Sequence, residues 1–178
     1  MRAKTIKTTS TEEFQSALQE SMDDGFKPTL AIAFVSKSQD RKAITAILSQ
    51  HDIAVFGCTT NGEFISEDLQ KGSAAILLLD MKKEYFDIYF HEFTEPNYRE
   101  AARNIAKKAK DKFAVPAFLI GVSNYETDGE EILHGIEDVA GMNVNACGGG
   151  AGDDYAFTDN YVFTNGRDNG KAILCLAL

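Results

Sequence analysis

The sequence predicts an α/β domain: a mixed β-sheet with helices, in two similar βαβ-plus-hairpin halves. Three observations predict it. Apolar runs of strand length alternate with amphipathic stretches of helical period. Residues 29–57 read as strand, helix, strand, a unit that makes a right-handed crossover between parallel strands. The same order returns after residue 116.

The elements follow in chain order. Ser10 with Glu13 forms a capping box, and Phe14, Ala17, Leu18 and Met22 recur at helical spacing, so a helix is expected over about 11–23, stopped by Gly25. TLAIAFVS (Thr29 to Ser36) has the length and composition of a buried strand. Asp40 caps a second helix whose inner stripe is Ala43, Ile44, Ile47 and Leu48, and DIAVFG (Asp52 to Gly57) is the next strand. GSAAILLLD (72–80) is another buried strand; the aromatic YFDIYFHEF (85–93) suits a sheet edge or an interface. A long helix is expected over 97–113, with lysines toward its C-terminal half that complement the helix dipole. PAFLIGVS (116–123) is a strand. Asp128 with Glu131 opens a helix whose inner face is Ile132, Leu133, Ile136 and Val139, ended by Gly141. MNVNAC (142–147) is read as a strand leading into a glycine loop, and NYVFTNG with KAILCLAL as a closing hairpin.

Size and composition set bounds. The 178 residues suit a single domain, 1–178, with an internal duplication expected between about 29–80 and 116–178. With 44% apolar and 25% charged residues the chain reads as globular, and no apolar run nears the ~18 residues of a membrane span. The N-terminus has no apolar stretch behind its basic residues, so a cytoplasmic location is expected. A net charge of −9 repels polyanions, which excludes nucleic acid and anionic membranes as natural partners. Three cysteines without metal-site spacing are expected to be buried small hydrophobes: Cys58, Cys147 and Cys175.

The chemistry-bearing stretches are FGCTTNGEF (56–64) and CGGGAGDD (147–154). The second is no dinucleotide fingerprint, because no helix follows its glycines to receive a pyrophosphate. It lacks the Lys-Ser/Thr of a P-loop, and Asp153, Asp154, Asp159 and Asn160 do not follow calcium-loop spacing. Ser123 stands in half of a nucleophile elbow, and Cys58 is a second candidate nucleophile; a hydrolase using either stays open, though neither has an evident base. His51, His91 and His134 lack metal-site spacing, so no metal is expected, but one histidine suffices for haem, the only cofactor left open.

The preferred reading is binding without chemistry, with no catalytic residues. Three loops leave the carboxyl ends of predicted strands, where open α/β sheets receive ligands. The expected ligand-binding set is Cys58, Thr59, Thr60, Asn61, Glu63, Ser123, Asn124, Gly148, Gly149, Gly150, Asp153 and Asp154. Glycine amides would form an anion nest, the acidic residues would hold a cation, and the two together suit an amino acid or related polar metabolite.

In order and spacing, GCTTNGEF, GVSNYETDGEEILHGI and GGGAGDDYAFTDNYVFTNG followed by GKAILCLAL resemble the N-terminal region of FIST domains. Gly129, Leu133 and Gly135 match the middle motif; Gly148, Gly149, Ala151, Gly152 and Asp153 match the last. The resemblance runs from about Thr29 to Leu178. It implies a small-ligand sensory domain for signal transduction, partnered by a FIST C-terminal region and a signalling output module. Amino acids are the ligands proposed for the family, and a haem-binding nitric-oxide sensor is the alternative it implies.

Overall fold

A computed structural model describes residues 1–65, 68–94 and 96–178. Its strands are β1 (Arg2–Thr8), β2 (Leu30–Ser36), β3 (Ala54–Thr60), β4 (Glu63–Ile65), β5 (Asp68–Gln70), β6 (Ala74–Asp80), β7 (Asp87–Glu92), β8 (Ala117–Val122), β9 (Asn145–Gly150), β10 (Val162–Thr164), β11 (Arg167–Asn169) and β12 (Ala172–Ala177). The helices are α1 (Thr11–Met22), α2 (Arg41–Gln50), α3 (Tyr98–Lys112) and α4 (Gly129–Ala140).

The α/β class holds, with the strands divided between two mixed sheets. One has the order β1-β6-β2-β3-β10-β11, the other β7-β12-β8-β9, and β4-β5 is a separate hairpin. Burial explains the division. Helices α1 and α2 cover one face of the first sheet through Phe14, Leu18, Ile44 and Leu48 against Ala31, Val55 and Leu78. Helices α3 and α4 cover the second sheet through Ala102, Ile105, Ile132 and Ile136 against Phe118, Ile120 and Ile173. The remaining faces meet in a third core of Leu30, Phe56, Leu79, Leu174 and Leu176. Strands covered on both sides must be largely apolar, which is why β12 and most of β6 are continuous apolar runs, as is β2, where only Phe34 is exposed.

The two halves share one connectivity. Strand, helix, strand, helix, strand, hairpin, strand describes both 2–80 and 87–177. The order β1-β6-β2-β3 repeats as β7-β12-β8-β9, with β2–β3 and β8–β9 the parallel pairs. The hairpins break the symmetry. β4–β5 stands apart, whereas β10 leaves the second half to pair with β3 of the first sheet.

Three local expectations change. The closing hairpin does not form: β10 pairs with β11 around Asn165-Gly166, and β12 enters the second sheet between β7 and β8. The glycines 148–150 are the end of β9, where parallel pairing to β8 outweighs their low strand propensity. Strand β1 was hidden by its polarity; only Ile6 and Thr8 turn inward from this sheet edge.

The helix signals fare better. The Ser10 hydroxyl accepts the Glu13 N–H at 3.2 Å, although the Glu13 carboxylate closes on Thr9. The Asp40 and Asp128 carboxylates accept amides of the first turns of α2 and α4. Gly135 lets α4 cross α3 closely: a Cβ there would lie 2.3 Å from the Arg99 carbonyl oxygen. No helix among the described residues is long and apolar enough to cross a membrane.

Candidate functional site

The two loops singled out in the sequence do meet, and they meet in direct contact. The Gly152 N–H donates to the Thr59 carbonyl at 2.7 Å, and the Thr59 hydroxyl donates to the Gly152 carbonyl at 2.6 Å. The Asp154 N–H reaches the Thr60 carbonyl at 3.3 Å. Asn61 Oδ1 accepts from the amides of Asp153 and Tyr155 at 2.9 and 3.1 Å. This seam fastens the end of β9 to the end of β3, across the two sheets.

Several expected ligand residues are engaged within the protein. The buried Glu63 carboxylate accepts the Thr60 hydroxyl and both the amide and hydroxyl of Ser73. The buried Ser123 hydroxyl donates to the Asn169 carbonyl at 3.0 Å and accepts the Ala172 N–H at 2.9 Å, and none of its partners is a histidine. The Asp154 carboxylate receives the Ser36 hydroxyl at 2.9 Å. Cys58 lies in the core between the sheets, where burial pushes its thiol up to about 12, far from a thiolate nucleophile.

Asp153 organises the loop that follows. Its carboxylate accepts the amides of Phe157, Thr158 and Asp159, the Thr158 hydroxyl and the Tyr125 phenol. Burial alone would raise this carboxyl, but the Tyr125 phenol and the Thr158 and Phe157 donors outweigh burial and hold it well below the usual carboxylate range. The tethered loop keeps Tyr155 and Phe157 exposed at φ of 65° and 54°, backbone angles that bulky residues rarely adopt.

The recess lies next to this seam. A cavity of about 550 Å³ opens between the start of α4 and the end of β8–β9. Ile120, Val122, Ile132, Leu133, Ala146 and Ala151 give it apolar walls, and Asn124, Tyr125, Thr127 and Asn160 are its polar side chains. Gly129, Gly148, Gly149 and Gly150 complete the lining with Cys147, and among the described residues no charged side chain lines it. Of the expected set, Asn124 and the three glycines line it; Cys58, Thr59, Thr60, Asn61, Glu63, Ser123, Asp153 and Asp154 do not. Asn124 is held at φ 76°, and its N–H donates to Asn160 Oδ1 at 2.6 Å.

Tyr125, Leu133 and Asn160 line the cavity although none belongs to the expected ligand-binding set. Leu133 offered a signal in hindsight: counted with the inner face of α4, it is 43% exposed and stands at the cavity instead. Cys147 also departs from expectation. It is exposed on β9, whereas Cys58 and Cys175 are buried.

Two other recesses, of about 450 and 490 Å³, differ in character. Charged side chains line both: the pairs Lys83–Asp52 and Lys112–Asp87 in one, and in the other the pair Arg41–Asp168 together with Lys42 and Arg167. The histidines lie apart: His51 caps α2, His91 is on β7 and His134 is on α4, and none lines the uncharged cavity. Among the described residues no group of three or more His, Cys, Asp or Glu side chains is placed to hold a metal ion.

A two-sheet α/β fold with an uncharged, largely apolar recess at the carboxyl ends of two parallel strands has the build of a ligand-binding module. The family model described as FIST N domain matches residues 29–178, most of the chain, and the protein belongs to that family of signalling sensory domains rather than to an enzyme family. Comparison with curated proteins gives no match.

Proposed function

We propose that this protein is the ligand-binding part of a sensory module and that its ligand occupies the cavity between α4 and β8–β9. The observation that supports this most is the lining: a volume within the range of small-molecule sites, apolar walls, and a few neutral polar groups. An amino acid or related polar metabolite is the ligand the acidic loops suggest. Its ammonium would need a carboxylate at the cavity, and an unpaired buried charge is costly. The uncharged lining therefore favours a ligand with an apolar body and neutral polar groups.

The route of the signal follows from Tyr125. It lines the cavity and donates to Asp153, whose loop is fastened to Thr59, Thr60 and Asn61 of the first sheet. A ligand that prefers one position of Tyr125 biases that seam, as differential affinity for two states requires. The altered surface would be read by a FIST C-terminal region and an output module.

A calorimetric and thermal-shift screen of amino acids, small organic acids and neutral amides tests the site. Gly150→Leu is the companion variant, because a Cβ at Gly150 meets nothing within 4 Å and the added side chain would intrude on the ligand's space. Binding to the native protein that the variant loses supports the cavity. Binding that the folded variant keeps in full refutes it.

A further inference from the structure

We propose that the cavity takes an uncharged molecule in which two secondary amides flank a carbon bearing an apolar group, and that the N–H of one amide and the C=O of the other pair edge to edge with the Gly148 carbonyl and the Gly150 N–H of β9. The proposal rests on the cavity being the ligand site and names the chemistry of its ligand.

The main chain carries it. Among the described residues, β9 is the last strand of its sheet, and no strand lies on its outer side. The Ala151 N–H points inward, donating to the Val122 carbonyl at 2.7 Å. Successive strand residues aim their N–H and C=O groups to opposite sides, so Gly148 and Gly150 turn theirs outward. Two donors and two acceptors then stand along the free edge with a repeat of about 6.6 Å, the repeat of an extended peptide. Five successive residues of this segment, Ala146 to Gly150, line the cavity, so it borders the edge as well as a face.

Sequence and charge agree with that reading. Exposed edges are usually guarded by charged residues, proline or bulges. Here no charge, proline or bulge guards the edge: its positions are exposed glycines in continuous register with β8. Gly148 cannot carry a side chain, because a Cβ would come within 2.0 Å of the Ile120 carbonyl oxygen. The N–H and C=O of one trans amide point to opposite sides, so two amides flanking one extended carbon present a donor and an acceptor to such an edge, and they do so without introducing charge. A free ammonium or carboxylate would lack a counter-charge among the described lining residues. The ligand's apolar group then lies against Ile120, Val122, Ile132 and Leu133.

Titration calorimetry and amide-resolved NMR on the whole chain test the proposal with three probes: N-acetyl-leucine N-methylamide, its doubly N-methylated analogue, and leucine. The account expects saturable binding of the first, with movement of the Gly148 and Gly150 amide resonances. It expects at least tenfold weaker binding of the N-methylated analogue and of leucine, and loss of the first probe's binding in Gly150→Leu at unchanged melting temperature. Equal binding of the N-methylated analogue, or tighter binding of leucine, overturns the amide pairing; if Gly150→Leu still blocks that binding, the cavity stands as the site. No binding of the first probe at millimolar concentration also overturns the amide proposal, and the broader ligand screen then decides on the cavity separately.

Discussion

The phenol of Tyr125 donates to the buried carboxylate of Asp153 at 2.6 Å. One partner lines the cavity, and the other gathers the amides of Phe157, Thr158 and Asp159. The contact joins the recess of the second sheet to the seam with the first.

Tyr125→Phe keeps the ring and its tilted contact with Phe157, whose centroids lie 5.5 Å apart, but removes the donor. Hydrogen bonds to charged groups contribute about 1.5–3 kcal/mol, and half-exposure of the tyrosine places the expected loss below that range, at about 1 kcal/mol. Urea denaturation measures it. Hydrogen exchange should quicken at residues 157–159, and exchange in β12 should not change.

Asp153 makes the protein sensitive to acid. Its carboxyl is depressed in the folded state relative to the unfolded value of about 3.9, so the unfolded chain takes up the proton first. The stabilisation is complete above about pH 5 and is lost as pH falls through and below the ordinary carboxylate range. Asp153→Asn should lower stability at pH 7 and flatten its dependence on pH between about 5 and 3. A variant whose acid profile matches the native protein's would contradict this role.

Helix α4 depends on Gly135. Alanine would set its Cβ against the Arg99 carbonyl and the Ala102 side chain, at 2.3 and 2.8 Å, so α3 and α4 must separate. Overpacking of this kind costs about 1–3 kcal/mol. Gly149→Ala is the control, because nothing lies within 4 Å of the added carbon. Chemical denaturation should place the control within about 1 kcal/mol of the native protein and Gly135→Ala clearly below it.

Native thiol labelling should modify one cysteine. Cys147 is exposed beside the cavity, whereas Cys58 and Cys175 are buried and pushed up to about 12 by that burial. Mass spectrometry should find the label on Cys147, and a cavity ligand should slow its addition. Labelling of Cys58 at a comparable rate would contradict the packing between the sheets.

Local signals carried far in this sequence. Ser10, Asp40 and Asp128 cap helices as their side-chain chemistry requires, and the apolar runs of β2, β6, β8 and β12 are strands. Sheet membership was less legible. Nothing in KAILCLAL states that it inserts between β7 and β8, because an antiparallel partner can be near or distant in sequence. The glycines of β9 resemble a loop to any propensity argument, and only pairing with Ala117–Val122 makes them a strand. The two acidic loops were recognisable as a pair, yet composition could not distinguish carboxylates that await a guest from carboxylates that satisfy their own backbone. Glu63 and Asp153 satisfy groups of their own chain, and the recess opens beside them, where Leu133 and Tyr125 gave only faint notice.

Mapping a bound ligand by amide-resolved NMR on the whole chain tests the central claim most directly. The account predicts that a saturating ligand from the screen moves the resonances of Asn124, Leu133, Gly148 and Gly150 first and most. Shifts confined to Glu63, Ser73 and the β4–β5 hairpin, with the β9 resonances unmoved, would contradict it.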